Sequence, residues 1–303
     1  MKDAGVHAGP VALDAVHRSS NVSDYIALTK PRLNLLVVLT SAAGYYLGDG
    51  MSTGAWALWG MVQAIGGTAL VAGGAAALNQ LYERDTDAMM RRTRMRPLPD
   101  GRVAPADARV FGLALAVSGL ALLAFAGIAA ALLALATLVV YLVVYTPMKR
   151  RSPAATLVGA IPGALPPLIG WTAARGDISL GGWTLFAIVF LWQIPHFMAI
   201  AWMYRDDYRT AGFPMLAVID PGGRRAGRQA FWYALALVPV SLTPSLVGVS
   251  GSGYRWTALL LGTCLLAIAA WFERARSEQA ARWLFIGSIT YLPLIWMAMV
   301  LDH

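Results

Sequence analysis

The chain has 303 residues, of which only 13% are charged, about half the roughly 25% usual for soluble domains. Hydrophobic residues make up 58% and the mean hydropathy is +0.58, which excludes ordinary soluble, fibrous and disordered classes. The 24 basic against 16 acidic residues give a pI near 9.9; on a chain this apolar, the excess marks a cytoplasmic membrane surface rather than a nucleic-acid binder.

Residues 1–24 are polar and mixed in charge, without the apolar stretch of a cleavable signal peptide, and read as a flexible cytoplasmic tail. The rest, 25–303, reads as one intramembrane domain. Crossing a bilayer core of about 30 Å takes roughly 20 apolar residues in a helix. Nine segments qualify: 33–48, 56–82, 108–125, 127–146, 154–174, 183–204, 229–249, 256–273 and 282–301. Runs this continuous lack the alternation of a barrel strand, so the predicted fold is all-α and polytopic. The third and fourth spans are divided only by a joint at Gly127. In the fifth, Gly159, Pro162, Gly163, Pro166, Pro167 and Gly170 predict either an unwound, substrate-lining helix or close packing. The single Cys264 lies in an apolar run and permits no internal disulfide.

Basic residues set the orientation. Counting from the N-terminal flank and taking the regions after every second span, 22 of the 24 basic residues fall on one side, leaving Arg175 and Arg255 on the other. The N-terminus is therefore expected in the cytoplasm and His303 outside, in what reads as a bacterial cytoplasmic membrane.

Two acidic clusters lie on that positive side. Glu83, Asp85, Asp87, Asp100 and Asp107 follow the second span; Asp206, Asp207 and Asp220 follow the sixth. A short echo links them, Leu81-Tyr82-Glu83-Arg84-Asp85 against Met203-Tyr204-Arg205-Asp206-Asp207. Acids carry little topogenic weight, so their concentration there calls for another reason. Asn79, Glu83 and Asp87 recur every four residues and fall within about 80° of one another on a helix. Asp85 points away unless the helix frays. One carboxamide and two or three carboxylates make a hard, all-oxygen site suited to Mg²⁺, which commonly shares its coordination with substrate phosphates. Arg84, Arg91, Arg92, Arg94, Arg96, Lys149 and Arg150 flank it and can grip a phosphate, or can merely set topology. These residues imply a membrane enzyme that binds a phosphate-bearing amphiphile through Mg²⁺. If that phosphate is an allylic diphosphate, the chemistry is ionisation within an apolar cavity that excludes water.

The stretch from Asn79 through Glu83, Asp85, Asp87, Arg91 and Arg96 to Pro99 resembles the first Asp-rich motif of the UbiA-type intramembrane prenyltransferases, in the form taken by protohaem IX farnesyltransferases, or haem O synthases. Further segments extend the likeness over nearly the whole chain beyond the tail: Leu28–Arg32, Tyr145–Arg150, Gly163–Trp171, Trp192–Phe197 and Arg205–Gly212. The resemblance implies nine helices around a central cavity with the Asp-rich motifs at its cytoplasmic mouth. It implies transfer of farnesyl from farnesyl diphosphate to the 2-vinyl group of haem B, with a hydroxyl from water, giving haem O and diphosphate. Asn79, Glu83, Asp85 and Asp87 would hold Mg²⁺, with Asp206 and Asp207 at a second site. Lys30, Arg84, Arg91, Lys149 and Arg150 would hold the diphosphate. A haem A synthase or terminal-oxidase assembly factors would lie downstream, although no motif marks a contact with them. Two departures stand out. Glu83 occupies a position where the superfamily commonly has Asp, and Thr210 and Ala211 stand where a second Asp-x-x-x-Asp would end.

His196 lies inside the sixth span, about 15 Å deeper than Asp206 and Asp207. It is a candidate haem contact, as iron ligand or as base, and the alternative is a histidine bonded to a neighbouring helix beside Pro195. Competing functions are a sister prenyltransferase acting on a quinone precursor or chlorin, and a secondary transporter. Transporters tend to place their coupling acids near the bilayer midplane, whereas these acids lie at helix ends.

Overall fold

The computed structural model describes residues 21–49 and 55–303. Residues 1–20, with Lys2, Arg18, His7 and His17, lie outside the described part. The polar segment does not run unbroken to Asp24. Val22–Leu28 forms a short helix (α1) in which Asp24 is buried and ion-paired with Arg102. Its N-cap is Asn21, whose backbone N–H donates to the Asp24 carboxylate.

α1 meets α2 (Pro31–Asp49) at a 54° bend. Pro31 opens α2, where its missing N–H costs nothing, and Asn34 closes the bend by donating to the Thr29 carbonyl. The chain continues through α3 (Ala55–Tyr82), the one-turn α4 (Arg84–Met89) and α5 (Pro105–Ala126). α6 (Ile128–Val139) runs through a π-helical turn at Val140–Tyr145 into α7 (Thr146–Met148). Next come α8 (Ala155–Arg175), α9 (Leu180–Met203), α10 (Arg205–Thr210) and α11 (Leu216–Ile219). α12 (Arg224–Leu246), α13 (Ser252–Ala275) and α14 (Glu278–Leu301) complete the bundle.

A helix occupies each predicted span, and Gly127 is the joint between α5 and α6. Among the described residues, seven helices are long and apolar enough to cross a membrane, or eight if the bent α1–α2 pair is one span. α12 falls below that measure because Arg224, Arg225, Arg228 and Gln229 fill its first two turns and Pro239, Ser241, Thr243 and Pro244 dilute the remainder.

Small residues draw the helices together. A Cβ on Gly74 would sit 2.6 Å from the Gly112 carbonyl, and one on Gly119 would sit 2.7 Å from the Gly67 carbonyl, so α3 and α5 touch backbone to backbone. α2 and α8 do the same: a Cβ on Gly44 or Gly170 would overlap the carbonyl of Pro167 or Ser41. α8 is therefore not unwound, despite three internal prolines. Tight packing against its neighbours holds the helix, and Gln193 of α9 supplies a donor to the Ala160 carbonyl. On the other side, α9, α12, α13 and α14 share the largest apolar core, in which Ser241, Tyr254 and Tyr291 form a buried hydrogen-bonded group.

Candidate functional site

α3 carries only Gln63 and Thr68 as polar side chains before its last turn, where Asn79 and Gln80 are buried. The helix then breaks at Glu83, whose ψ of 7° departs from helical geometry, and restarts as α4. The break preserves the four-residue spacing. Asn79, Glu83 and Asp87 all line one cavity of about 470 Å³. Glu83 and Asp87 are 7% and 1% exposed, so each carboxylate needs a partner. Lys149 lies 2.9 Å from Glu83 Oε1 and 3.3 Å from Oε2. Arg96 Nη1 lies 2.7 Å from Asp87 Oδ2. Lys30 Nζ donates to Asn79 Oδ1 at 3.2 Å.

Asn79 is held from its other end. Its Nδ2 donates to Thr146 Oγ1 at 3.1 Å, and Thr146 in turn donates to the Tyr141 carbonyl at 2.7 Å. That carbonyl belongs to the π-helical turn, a distortion that recurs at functional sites. The turn also brings Tyr141 and Tyr145 to the cavity wall, with stacked rings 5.4 Å apart and Lys149 Nζ 4.8 Å from the Tyr145 centroid.

Burial acts differently on the two lysines. It pushes the Lys30 ammonium down to about 7, helped by the nearby charges of Arg96 and Lys149. Burial also opposes the charge of Lys149, but Tyr145, Glu83 and Tyr141, together with the Glu83 hydrogen bond, hold that group well above the usual lysine value. Lys149 and Arg96 thus face the two carboxylates at one end of the cavity, with Lys30, its charge disfavoured by burial, beside Asn79.

The deeper wall is apolar and comes from α2, α3, α6, α8 and α9, including Val37, Val71, Ile169, Phe197 and Ile200. Gly159, Pro162, Gly163 and Pro166 line it while remaining helical. His196 also lines it. Its Nδ1 is 2.8 Å from Ser288 Oγ on α14, and its ring lies between those of Trp192 and Phe285, each centroid 5.1 Å away. It is therefore both the helix-bonded histidine and a cavity residue.

The remaining predicted residues lie elsewhere. Asp85 is 87% exposed and pairs with Arg84, which points outward with it. Arg91 and Arg150 are exposed and do not line the cavity. Asp206 is 77% exposed and pairs with Arg209, while Asp207 is half-buried, one residue before the lining Tyr208. Arg96 takes the inward position, and the exposed Arg92 borders the cavity, because the turns after α4 fold the chain back over it. Thr93 fixes that return by donating to the Asp87 carbonyl at 2.8 Å. Tyr145, Thr146 and Gln193 fall in segments that carry the family likeness but suggest no role by themselves, and Tyr141 lies in a span where aromatic residues serve as anchors or packing.

A fully protein-made metal cage is not assembled: among the described residues no three His, Cys, Asp or Glu side chains gather as a metal site. The donors on the cavity wall, one carboxamide and two carboxylates, do suit Mg²⁺ that completes its shell with phosphate oxygens and water.

Comparison with known proteins gives a consistent result. Residues 37–295 match the UbiA prenyltransferase family. The protoheme IX farnesyltransferase of Solibacter usitatus is 46% identical over 288 residues, covering 92% of this chain and 98% of its own. That of Myxococcus xanthus is 44% identical, covering 93% of this chain and 95% of its own. Among solved structures, a digeranylgeranylglyceryl phosphate synthase aligns with a TM-score of 0.79 at 15% identity, covering 93% of this chain and 98% of its own. A UbiA homologue from Archaeoglobus fulgidus bound to GPP and Mg²⁺ aligns at 0.65 and 18% identity, covering 91% and 99% respectively. These structural likenesses concern the fold.

Proposed function

The chain belongs to the UbiA prenyltransferase family, and we propose that it transfers the farnesyl group of farnesyl diphosphate to the 2-vinyl group of haem B, adding a hydroxyl from water to give haem O and diphosphate. The observation that carries this reading is the two-ended cavity, with paired buried charges at one end and apolar walls at the other. Near-full-length identity of 41–46% to protoheme IX farnesyltransferases supports the choice of acceptor.

The diphosphate occupies the charged end. Lys30, Lys149 and Arg96 are the cations already inside; Arg92 stands on the wall, and Arg84, Arg91 and Arg150 form an outer ring that draws the anion in. Asn79, Glu83 and Asp87 would hold Mg²⁺, which supplies neutralisation of the leaving diphosphate. Asp207 is assigned a secondary role beside the mouth, with Asp206 and Asp85 outside it.

Heterolysis breaks the bond from the allylic carbon to oxygen, and its electron pair leaves with the diphosphate. Tyr141 and Tyr145 present ring faces beside that end, and apolar walls keep bulk water from the allylic cation. The vinyl π electrons then form the new carbon–carbon bond, leaving positive charge on the carbon next to the porphyrin ring, which water quenches. His196 contacts the haem at the deep end. The N-terminus lies in the cytoplasm and the membrane is the bacterial inner membrane, as the 22-to-2 distribution of basic residues supports.

The test is direct. Membranes containing the full chain receive haem B, farnesyl diphosphate and Mg²⁺, and haem O is sought by chromatography and mass. Haem O that disappears on chelation is the expected result. A prenylated aromatic acid without haem O would replace the acceptor, and no product of either kind would overturn the proposal.

A further inference from the structure

The geometry points to His196 as the base that accepts the proton of the water added to the product cation, with Gln193 holding the same water. This rests on the prenyl-transfer reading above and assigns the water-addition step, to which that reading gives no residue.

The tautomer follows from the hydrogen bonds. Ser288 Oγ donates to the Phe285 carbonyl at 2.7 Å, which commits its single proton. The 2.8 Å contact from His196 Nδ1 to the same oxygen therefore carries the imidazole's own proton, and Nε2 keeps its lone pair. The ring cannot swing away, because it lies near-parallel to Trp192 at 19° and to Phe285 at 21°. Trp192 is itself tied to the same turn of α14, donating to the Ser288 carbonyl at 2.7 Å.

Gln193 stands one helical turn before His196, on the same face of α9, and also lines the cavity. Its amide nitrogen donates to the Ala160 carbonyl at 2.8 Å, which leaves Oε1 as an acceptor. A Cβ at Gly163 would overlap that oxygen, so the glycine keeps its space open. One water donating to Gln193 Oε1 and His196 Nε2 would keep a lone pair for the cation.

Position also matters. Among the described lining residues, the other titratable side chains are Tyr141, Tyr145, Tyr208 and the charged groups of the diphosphate end. A water activated at that end would hydrolyse the allylic diphosphate. His196 lies seven residues before the end of α9, roughly 10 Å deeper, where a water can meet only the second cation. In the step, a water lone pair forms the carbon–oxygen bond to the cationic carbon of the former vinyl group. An O–H bond breaks with its electrons retained on oxygen, and the proton passes to Nε2, giving an imidazolium still bonded to Ser288.

The experiment uses the full-length protein with haem B, farnesyl diphosphate, Mg²⁺ and isotopically labelled water. It compares wild type, His196→Phe, which keeps the ring stack, and Ser288→Ala, which keeps the imidazole but frees its tautomer. The expected result for His196→Phe is continued carbon–carbon bond formation with labelled alcohol formed about 100-fold more slowly, replaced by a product lighter by one water. Ser288→Ala is expected to show the same shift at about tenfold, and this variant decides the matter if His196→Phe fails to fold. An unchanged alcohol fraction in both variants would overturn the assignment, as would loss in His196→Phe of an axial-histidine signature present in the wild-type haem spectrum, since Nε2 would then be on the iron. A wild-type protein that makes no prenylated porphyrin would instead overturn the reading on which the assignment rests.

Discussion

The segments that follow α3 and α9 begin alike and end differently. Each long helix stops at a residue with ψ near zero, Glu83 at 7° and Tyr204 at 22°, and restarts as a six-residue helix carrying two acids in its first turn. After α3 the carboxylates of Glu83 and Asp87 turn inward onto Lys149 and Arg96. After α9 the inward group is Tyr208, and Asp206 faces out with Arg209. The two breaks differ by one place in the aligned motif, which rotates the second pair of acids by about 100°. Acidic content therefore does not make a site; the register of the break does. The segments also meet, with Arg92 5.1 Å over the Tyr204 ring and Met90 packed with Ala211 and Phe213.

That contrast can be broken by exchanging like for like. Glu83→Gln and Asp87→Asn should each cost about 100-fold or more in turnover of membrane-embedded protein, because they remove charge at the point where the proposed reaction would hold its leaving group. If Asp206→Asn did equal damage, the distinction between the two ends would fail. Next in size, Lys149→Ala leaves the Glu83 carboxylate buried and unpaired and should weaken farnesyl diphosphate binding, measured by titration, by about 2–5 kcal/mol. Asp207→Asn should lower turnover roughly tenfold, equivalent to about 1.4 kcal/mol. A full hundredfold loss would promote Asp207 to equal rank with Asp87. Tyr204→Leu removes only the Arg92 contact, and thermal unfolding in detergent should register about 0.5–1 kcal/mol. Asp206→Asn should stay within about 0.5 kcal/mol and leave turnover unchanged.

Much of this arrangement was legible from the residues. Apolar run length placed a helix at every expected span, seven of them, or eight with the bent α1–α2 pair, long and apolar enough among the described residues to cross a membrane, because in a bilayer the backbone must satisfy itself and only helices of sufficient length can do so. The Asn79, Glu83, Asp87 spacing survived even though the helix breaks within it, since Glu83 N still bonds to the Asn79 carbonyl and Asp87 N to the Glu83 carbonyl. Cations were harder. Arg84 and Arg91 adjoin the motif in sequence and Arg150 adjoins Lys149, but all three face outward, while Arg96 arrives by a return of the chain that periodicity cannot foresee. Tyr141 and Tyr145 depend on a π-helical turn, which shifts the facing of every later residue and leaves no compositional mark. The glycines and prolines of α8 left an unwound helix and close packing equally open, and the contacts of Gly44 and Gly170, with the Gln193 bond to Ala160, explain why the helix stays whole.

Lys30 carries a consequence of its own. Its φ of +49° is a left-handed conformation, unfavourable by about 1–2 kcal/mol for a residue with a Cβ, and Pro31 follows it. A glycine would adopt that backbone freely, and Lys30→Gly would also remove an amine whose charge its surroundings disfavour. The substitution should therefore raise resistance to heat while lowering affinity for the diphosphate. Thermal robustness and affinity for the diphosphate thus pull this position in opposite directions.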